Sequence, residues 1–231
     1  MLSIIIPSLN AETTLLRTVE ALRDGAGQGM IREILLVDGG SSDGTLKLAR
    51  ELGIKILKTR AGRGRQLAHG AAAARAPWLL FLHADTALEP GWGEALQQFM
   101  ESVPERDLRH ADAAVFRFGL DDDSSSARRL ERAVQLRCQI LKLPYGDQGL
   151  VISRERYIDV GGYKPMPLLE DVDIVRRIGR RHIRHLSPRA VTSARRFKER
   201  GYLRRSGRNL LCLSLYYIGV PIGTVQKIYE A

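Results

Sequence analysis

The chain has 231 residues, 44% hydrophobic and 27% charged, a balance that excludes disorder, collagen and coiled coil. Its two cysteines, Cys138 and Cys212, are too few for a disulfide framework and have no Cys or His neighbour at zinc-ligand spacing, which points to a reducing cytoplasm. The net charge of +10 is concentrated between Arg176 and Arg208, where twelve arginines and Lys198 face one acid, Glu199; such a block suits nucleic acid, membrane headgroups or a phosphorylated substrate, and equally a solvated helix face.

No basic region precedes the first apolar run, which breaks at Pro7, so a strand is expected there rather than a secretion signal. Leu2 to Pro7 predicts a buried strand and Ala11 to Asp24 a helix, with Leu15, Leu16, Val19 and Leu22 on its apolar face. Glu33 to Val37 is a second strand, followed by a helix from Asp43, and Ile54 to Leu57 is a third. A Gly/Arg loop at Arg60 to Arg65 leads into an Ala-rich helix, Gln66 to Arg75, and Trp78 to Leu82 is a fourth strand. Repeated βα units imply an α/β fold with a mostly parallel central sheet flanked by helices.

Further on, Asp112 to Phe118 predicts a strand, Ala127 to Leu143 a helix, Leu150 to Ile152 a buried strand and Glu170 to Arg181 a helix with an acidic start and a basic end. His182 to Leu186 and Ala190 to Ala194 read as two short strands, and Phe197 to Ile218 as one long helix. No linker or repeat divides the chain, so a single domain is expected, with a nucleotide-binding half (1–110), a catalytic and acceptor half (111–196) and a C-terminal helical segment (197–231).

In parallel sheets, ligands bind beyond the carboxyl ends of the strands, where Asn10, Asp38 and Asp85 each fall. A carboxylate at a strand end followed by glycines, as in Asp38-Gly39-Gly40, can accept hydrogen bonds from a base or ribose; alternatively this is a plain βα turn in which Asp43 caps the helix. His83-Ala84-Asp85 sets two metal-ligand side chains on one side of an extended segment, where a hard cation could bridge a diphosphate. Arg60 to Arg65 offers guanidinium forks for phosphate without being a P-loop. Glu170, Asp171 and Asp173 put three carboxylates at a helix start, more than capping needs, and supply a candidate general base.

Taken in order, Ile4-Ile5-Ile6-Pro7-Ser8-Leu9-Asn10, Val37 to Thr45, His83-Ala84-Asp85-Thr86 and Glu170-Asp171-Val172-Asp173 resemble the family 2 glycosyltransferases with the GT-A fold, and more narrowly the small bacterial subgroup linked to arsenosugar biosynthesis. The resemblance implies inverting transfer of a sugar from a nucleotide diphosphate-sugar donor to a hydroxyl of a small-molecule or lipid-linked acceptor, with a divalent metal, Mn or Mg. It places Pro7, Ser8, Asn10, Asp38, Gly39, Gly40, Arg65 and Ala84 near the nucleotide, Asp85 and His83 at the metal, and Asp171 as base with Glu170 beside it. Gly146, Asp147, Gln148 and Asp173 fall on the acceptor side. Two features depart from the family pattern. His83 replaces the first Asp of D-x-D and favours softer ions than Mg. The family's Gln/Arg-x-x-Arg-Trp element is missing, and Arg195 and Arg196 stand in as diphosphate contacts.

Two other readings stay open. A sugar-phosphate nucleotidylyltransferase would carry a Gly-rich basic loop after the first strand, where this chain has Ser8-Leu9-Asn10-Ala11. A basic binding module for a membrane surface or nucleic acid would use the arginine block, but aromatics make up only 6% and are not interleaved with it, so no nucleic-acid partner is expected. The uncharged stretch from Asn209 to Gln226 is broken by Gly219, Pro221 and Gly223, which argues against a membrane span. It leaves an interfacial helix at the inner face of the membrane, or a homodimer interface, as alternatives.

Overall fold

Ile4, Ile5 and Ile6 are all fully buried because their strand is covered on both faces, and the period-two alternation of a strand sends them to opposite sides. Ile4 and Ile6 pack with Leu15, Val19, Leu22 and Trp92 in one apolar layer, while Ile5 packs with Leu67, Ala71 and Ile174 in the other. The structure is a computed structural model that describes residues 1–141 and 144–230, and the side chains of these except Gln139, Leu141, Arg196, Arg200, Leu203, Arg204 and Glu230.

The strands are β1 (Leu2–Ser8), β2 (Ile31–Asp38), β3 (Lys55–Lys58), β4 (Trp78–Phe81), β5 (Thr86–Leu88), β6 (Ala113–Leu120), β7 (Leu150–Ser153) and β8 (Ile183–Thr192). The helices are α1 (Glu12–Gly25), α2 (Thr45–Glu51), α3 (Arg63–Ala73), α4 (Trp92–Glu101), α5 (Ser125–Leu141), α6 (Arg154–Asp159), α7 (Glu170–Ile178), α8 (Arg195–Arg200), α9 (Tyr202–Tyr217) and α10 (Ile222–Glu230). One eight-stranded sheet has the order β3-β2-β1-β4-β7-β6-β8-β5. Following the pairings across it, β1, β2, β3, β4, β6 and β8 share one direction, and only β5 and β7 run against them.

Helix α3 lies close on β1 and β2 because Gly70 faces the sheet: a Cβ there would stand 2.4 Å from Ile5 Cγ2 and 2.9 Å from Val37 Cγ2. No side chain larger than hydrogen fits between helix and sheet at that point.

Four expectations need correcting. The Gly/Arg stretch is not a loop throughout, since α3 starts at Arg63; its first turn presses on the 164–170 segment, where a Cβ on Gly64 would meet the Lys164 carbonyl oxygen at 2.3 Å. The two short strands near the C-terminus are one strand, β8, whose register against β6 shifts so that Ser187 and Pro188 sit in a bulge. The long helix divides into α8 and α9 at Gly201, whose φ of 80° ends the first helix. Helix α7 stops at Ile178, before Gly179 at φ 93°, rather than at Arg181. The periodicity of the sequence did not disclose β5, α4 or α6. The expected end of α5 near residue 143 lies outside the described residues. Among the described residues no helix is long and apolar enough to cross a membrane.

Candidate active site

Because β1, β2, β4 and β8 are codirectional, the residues after their carboxyl ends arrive at one edge of the sheet: Asn10, the Asp38 turn, His83-Ala84-Asp85 and Ser193. Strand β7 is reversed, so it delivers the segment before it, Tyr145 to Gly149, to the same edge. Two adjoining cavities open there, of about 520 and 130 Å³, and both are walled by Arg63, His83, Asp85 and Ser193. Pro7, Ser8, Asn10, Ala84 and Arg195 line the larger cavity, while Tyr145, Asp147 and Asp171 line the smaller.

The larger cavity has a stiff ledge. Among the described residues Asn10 is one of two non-glycine residues with positive φ, 53°, a conformation that Asn tolerates better than other L-residues. Its Oδ1 accepts the Ser42 amide at 2.9 Å, and its own amide donates to Ser41 Oγ at 2.9 Å. Asp38 is 2% exposed and accepts the amides of Gly40 at 2.9 Å and Ser41 at 3.0 Å. The Gly39 amide donates to the Ser8 carbonyl at 2.9 Å, and Gln66 Nε2 donates to the carbonyls of Ser8 and Val37, both at 2.8 Å. Asp38, Gly39 and Gly40 therefore build the ledge and line neither cavity; the carboxylate expected to read a base or ribose is taken up by its own turn. Asp43, one residue before the Gly44 N-cap of α2, accepts the Thr45 amide at 3.0 Å.

Asp171 is positioned by two backbone donors, the Gly146 amide to Oδ2 and the Val172 amide to Oδ1, each at 2.8 Å. A Cβ on Gly146 would lie 3.0 Å from His83 Nε2 and 3.3 Å from Asp171 Oδ2, so imidazole and carboxylate flank one glycine. The segment turns at Leu169, whose φ of 61° is the other positive value outside glycine among the described residues and a local strain at the site. Asp85 lies beside the Thr86 and Thr192 hydroxyls, 3.5 and 3.4 Å from its Oδ1. Glu170, only 1% exposed, is held by the Arg63 guanidinium; burial pushes its carboxyl up and Arg63 opposes that shift. Arg63 also stands 4.0 Å from Asp171.

Asp147 has one buried carboxylate oxygen without a hydrogen-bond partner. Burial raises its pKa to about 6; Arg137 and Arg63 pull it down, while Asp171 and Asp85 push it further up. The native state thus holds this proton more tightly than the unfolded chain. The stabilisation is complete below the ordinary value of 3.8 and disappears as pH rises through about 6. Urea unfolding of the cation-free protein should show stability falling over that window by at most about 3 kcal/mol, and Asp147→Asn should flatten the slope. An unchanged slope in the variant would remove Asp147 as its source.

Several expected residues stand elsewhere. Arg65 is exposed and lines neither cavity, whereas Arg63, two positions earlier on α3, lines both. Asp173 is paired with Lys164 at 3.3 Å and with Arg177 at 2.6 Å, which ties α7 to the 160–164 loop, and it lines neither cavity. Gln148 is buried beneath the turn, donating to the Phe116 carbonyl at 3.0 Å and accepting the Tyr145 amide at 3.3 Å. Arg195 reaches the larger cavity while paired with Glu199 at 2.9 Å; the Arg196 side chain lies outside the described ones. Arg63 and Arg205 were read only as members of longer basic stretches, Arg60 to Arg65 and the arginine block, and Tyr145, Ser193 and Tyr229 were not singled out.

Among the described residues no group of three or more His, Cys, Asp or Glu side chains is placed to hold a metal. A cation shared with a diphosphate needs only one or two protein ligands, the rest being phosphate oxygens and water. Asp85 and His83 on the cavity wall fit that sparse donor set, and the unpartnered Asp147 oxygen nearby adds negative potential.

A sheet of this order with a cleft at its carboxyl edge defines the GT-A class of glycosyltransferase fold. Solved structures share it. S. aureus TarS (residues 1–349) in complex with UDP-GlcNAc superposes with a TM-score of 0.66 at 13% identity, covering 99% of this chain and 70% of that one. Glucosyl-3-phosphoglycerate synthase from Mycobacterium tuberculosis, with Mn2+, UDP and glucosyl-3-phosphoglycerate, gives 0.58 at 18% identity, covering 96% and 81%. In sequence, human Polypeptide N-acetylgalactosaminyltransferase 15 is 38% identical over 94 residues; the match covers 37% of this chain and 15% of that much longer protein. The chain belongs to Glycosyl transferase family 2, whose profile matches residues 3–141.

Proposed function

We propose that this cleft transfers a glycosyl group from a nucleoside diphosphate-sugar to an acceptor hydroxyl, with inversion and with a divalent cation. The observation that carries the reading is the meeting of Asp85, Arg63 and Asp171, from distant stretches of chain, on the walls of one cleft. The donor lies in the larger cavity against the Asn10 ledge, with its diphosphate toward Asp85, Arg63 and Arg195. The complexes of TarS with UDP-GlcNAc and of the mycobacterial synthase with UDP support a uridine diphosphate donor as the first to test.

The acceptor enters the smaller cavity. Its oxygen attacks the anomeric carbon as the bond to the diphosphate breaks; the electron pair leaves with the diphosphate, and the hydroxyl proton passes to a carboxylate oxygen of Asp171. The amides of Gly146 and Val172 hold that carboxylate in place before reaction. Asp85 and His83 would hold the cation, which when bound offsets the charge developing on the leaving diphosphate. Imidazole in the pair favours Mn over Mg. Asp85→Ala is expected to raise the donor KM about tenfold or more and to flatten the dependence of rate on Mn concentration. A Mn response equal to the wild type would remove Asp85 from the cation. Proton NMR of the first-formed product should show the anomeric configuration opposite to that of the donor, and retention would refute the direct displacement.

The same reading includes contact with a membrane surface. Leu210, Leu211, Tyr217 and Ile218 are exposed on α9 and at its end, and Arg176 lies against Tyr216 and Tyr217. Co-sedimentation with vesicles containing anionic lipid should exceed that with neutral vesicles at low salt. No lipid-dependent pelleting at low salt would exclude such docking.

A further inference from the structure

Away from the cleft, a cavity of about 310 Å³ lies between α5 and the strands β6 and β8. Its volume is at the lower end of small-molecule sites. Phe118, Val134 and Cys138, all buried, give it an apolar interior. Glu131 is the carboxylate on its wall, and that group is already engaged: it accepts the Leu120 amide at 2.8 Å, pairs with Arg128 at 2.6 Å and lies 3.9 Å from Arg189. Arg189 is also paired with Glu89 at 2.6 Å.

Two further arginines, Arg117 and Arg132, line the same cavity, are exposed, and have no carboxylate within 4.0 Å among the described residues. The cavity therefore joins an apolar interior to positive charge that no carboxylate among the described residues contacts directly, Glu89 acting on Arg117 only from farther off. A concave surface concentrates such a field, and guanidinium forks match the oxygens of phosphate or carboxylate. Neutral apolar molecules would leave this charge unanswered, and inorganic anions would leave the apolar interior empty.

We propose that this cavity binds a small amphipathic anion, its phosphate or carboxylate head between Arg117 and Arg132 and its apolar body against Phe118 and Val134. The site stands apart from the glycosyl transfer described above. Gln148, at one wall, also supports the turn that carries Gly146, so occupancy is placed next to an element of the cleft.

Calorimetric titration of the full chain tests this with octyl phosphate and octanoate, each below its micelle concentration, and with 1-octanol and inorganic phosphate as controls. One or both of the amphipathic anions should bind saturably at one site per chain, and which of them does so identifies the head group. Neither control should compete. Arg117→Gln/Arg132→Gln should weaken binding at least about tenfold, with the melting temperature in buffer and the release of nucleoside diphosphate unchanged. The single variants Arg117→Gln and Arg132→Gln, each weakening binding in part, replace the double variant if it does not fold. Equal binding of 1-octanol, undiminished binding by the variants, or no saturable binding of either anion overturns the proposal.

Discussion

Replacing Asp171 by Asn is expected to lower kcat by about 10²- to 10⁴-fold, the range that a positioned general base contributes. Asn is nearly isosteric, and its amide oxygen can keep one of the two backbone donors, from Gly146 or Val172, that now orient the carboxylate. The lost hydrogen bond should cost about 1 kcal/mol, so the protein stays folded and donor binding is retained. The effect then falls on kcat rather than on the donor KM. Steady-state release of nucleoside diphosphate measures both. A kcat within a few fold of the wild type would take the base away from Asp171.

The second large effect concerns stability. Arg63→Ala should destabilise the fold by about 2–4 kcal/mol, because it strips the partner from a carboxylate that is only 1% exposed. The loss falls in the lower part of the range for broken buried pairs because the Arg63 side chain is 38% exposed and partly screened by water. The loss should depend on pH. Burial already raises the Glu170 carboxyl, and without the guanidinium nothing on α3 opposes that shift. A raised carboxyl pKa means that the native state binds the proton more tightly. The variant should therefore be relatively secure at low pH and weaken as pH climbs from the ordinary value of 4.5 through the folded value. Adding Glu170→Gln to Arg63→Ala should recover much of the loss above that point. Urea unfolding across this range checks both statements; a destabilisation independent of pH, or no recovery in the double variant, would contradict the buried pairing.

How much of this was legible in the sequence depended on whether the signal was local. The βα alternation, the strands at Ile4, Leu36 and Leu80, and the helix start at Glu170 rest on short-range periodicity, and all are present. Strand-end positions likewise brought Asn10, the Asp38 turn and Asp85 to one edge, since codirectional strands place their ends together. What escaped was set by long-range packing. The uptake of the Asp38 carboxylate by the amides of Gly40 and Ser41 is the exception, a local Asx turn within the Asp38-Gly39-Gly40-Ser41 stretch itself. Whether Arg63 or Arg65 faces inward depends on where α3 begins, which depends on Gly64 lying against Lys164, a hundred positions later in the chain. Asp173 looked like part of an acidic site until Lys164 and Arg177 supplied its counter-charges. Tyr229, on α10, lines the smaller cavity from the far end of the chain, where the sequence suggested only a helical segment.

The most direct measurement is a thermal-shift panel of nucleoside diphosphates, each with and without Mn, on the wild type and on Asp85→Ala. One nucleoside diphosphate should raise the wild-type melting temperature by several degrees more with Mn than without it, since a ligand that prefers the native state stabilises it by mass action. That additional rise should vanish in Asp85→Ala. A panel in which no nucleotide shifts the wild type, or in which the Mn-dependent rise persists in the variant, would contradict a cation-bridged donor in this cleft.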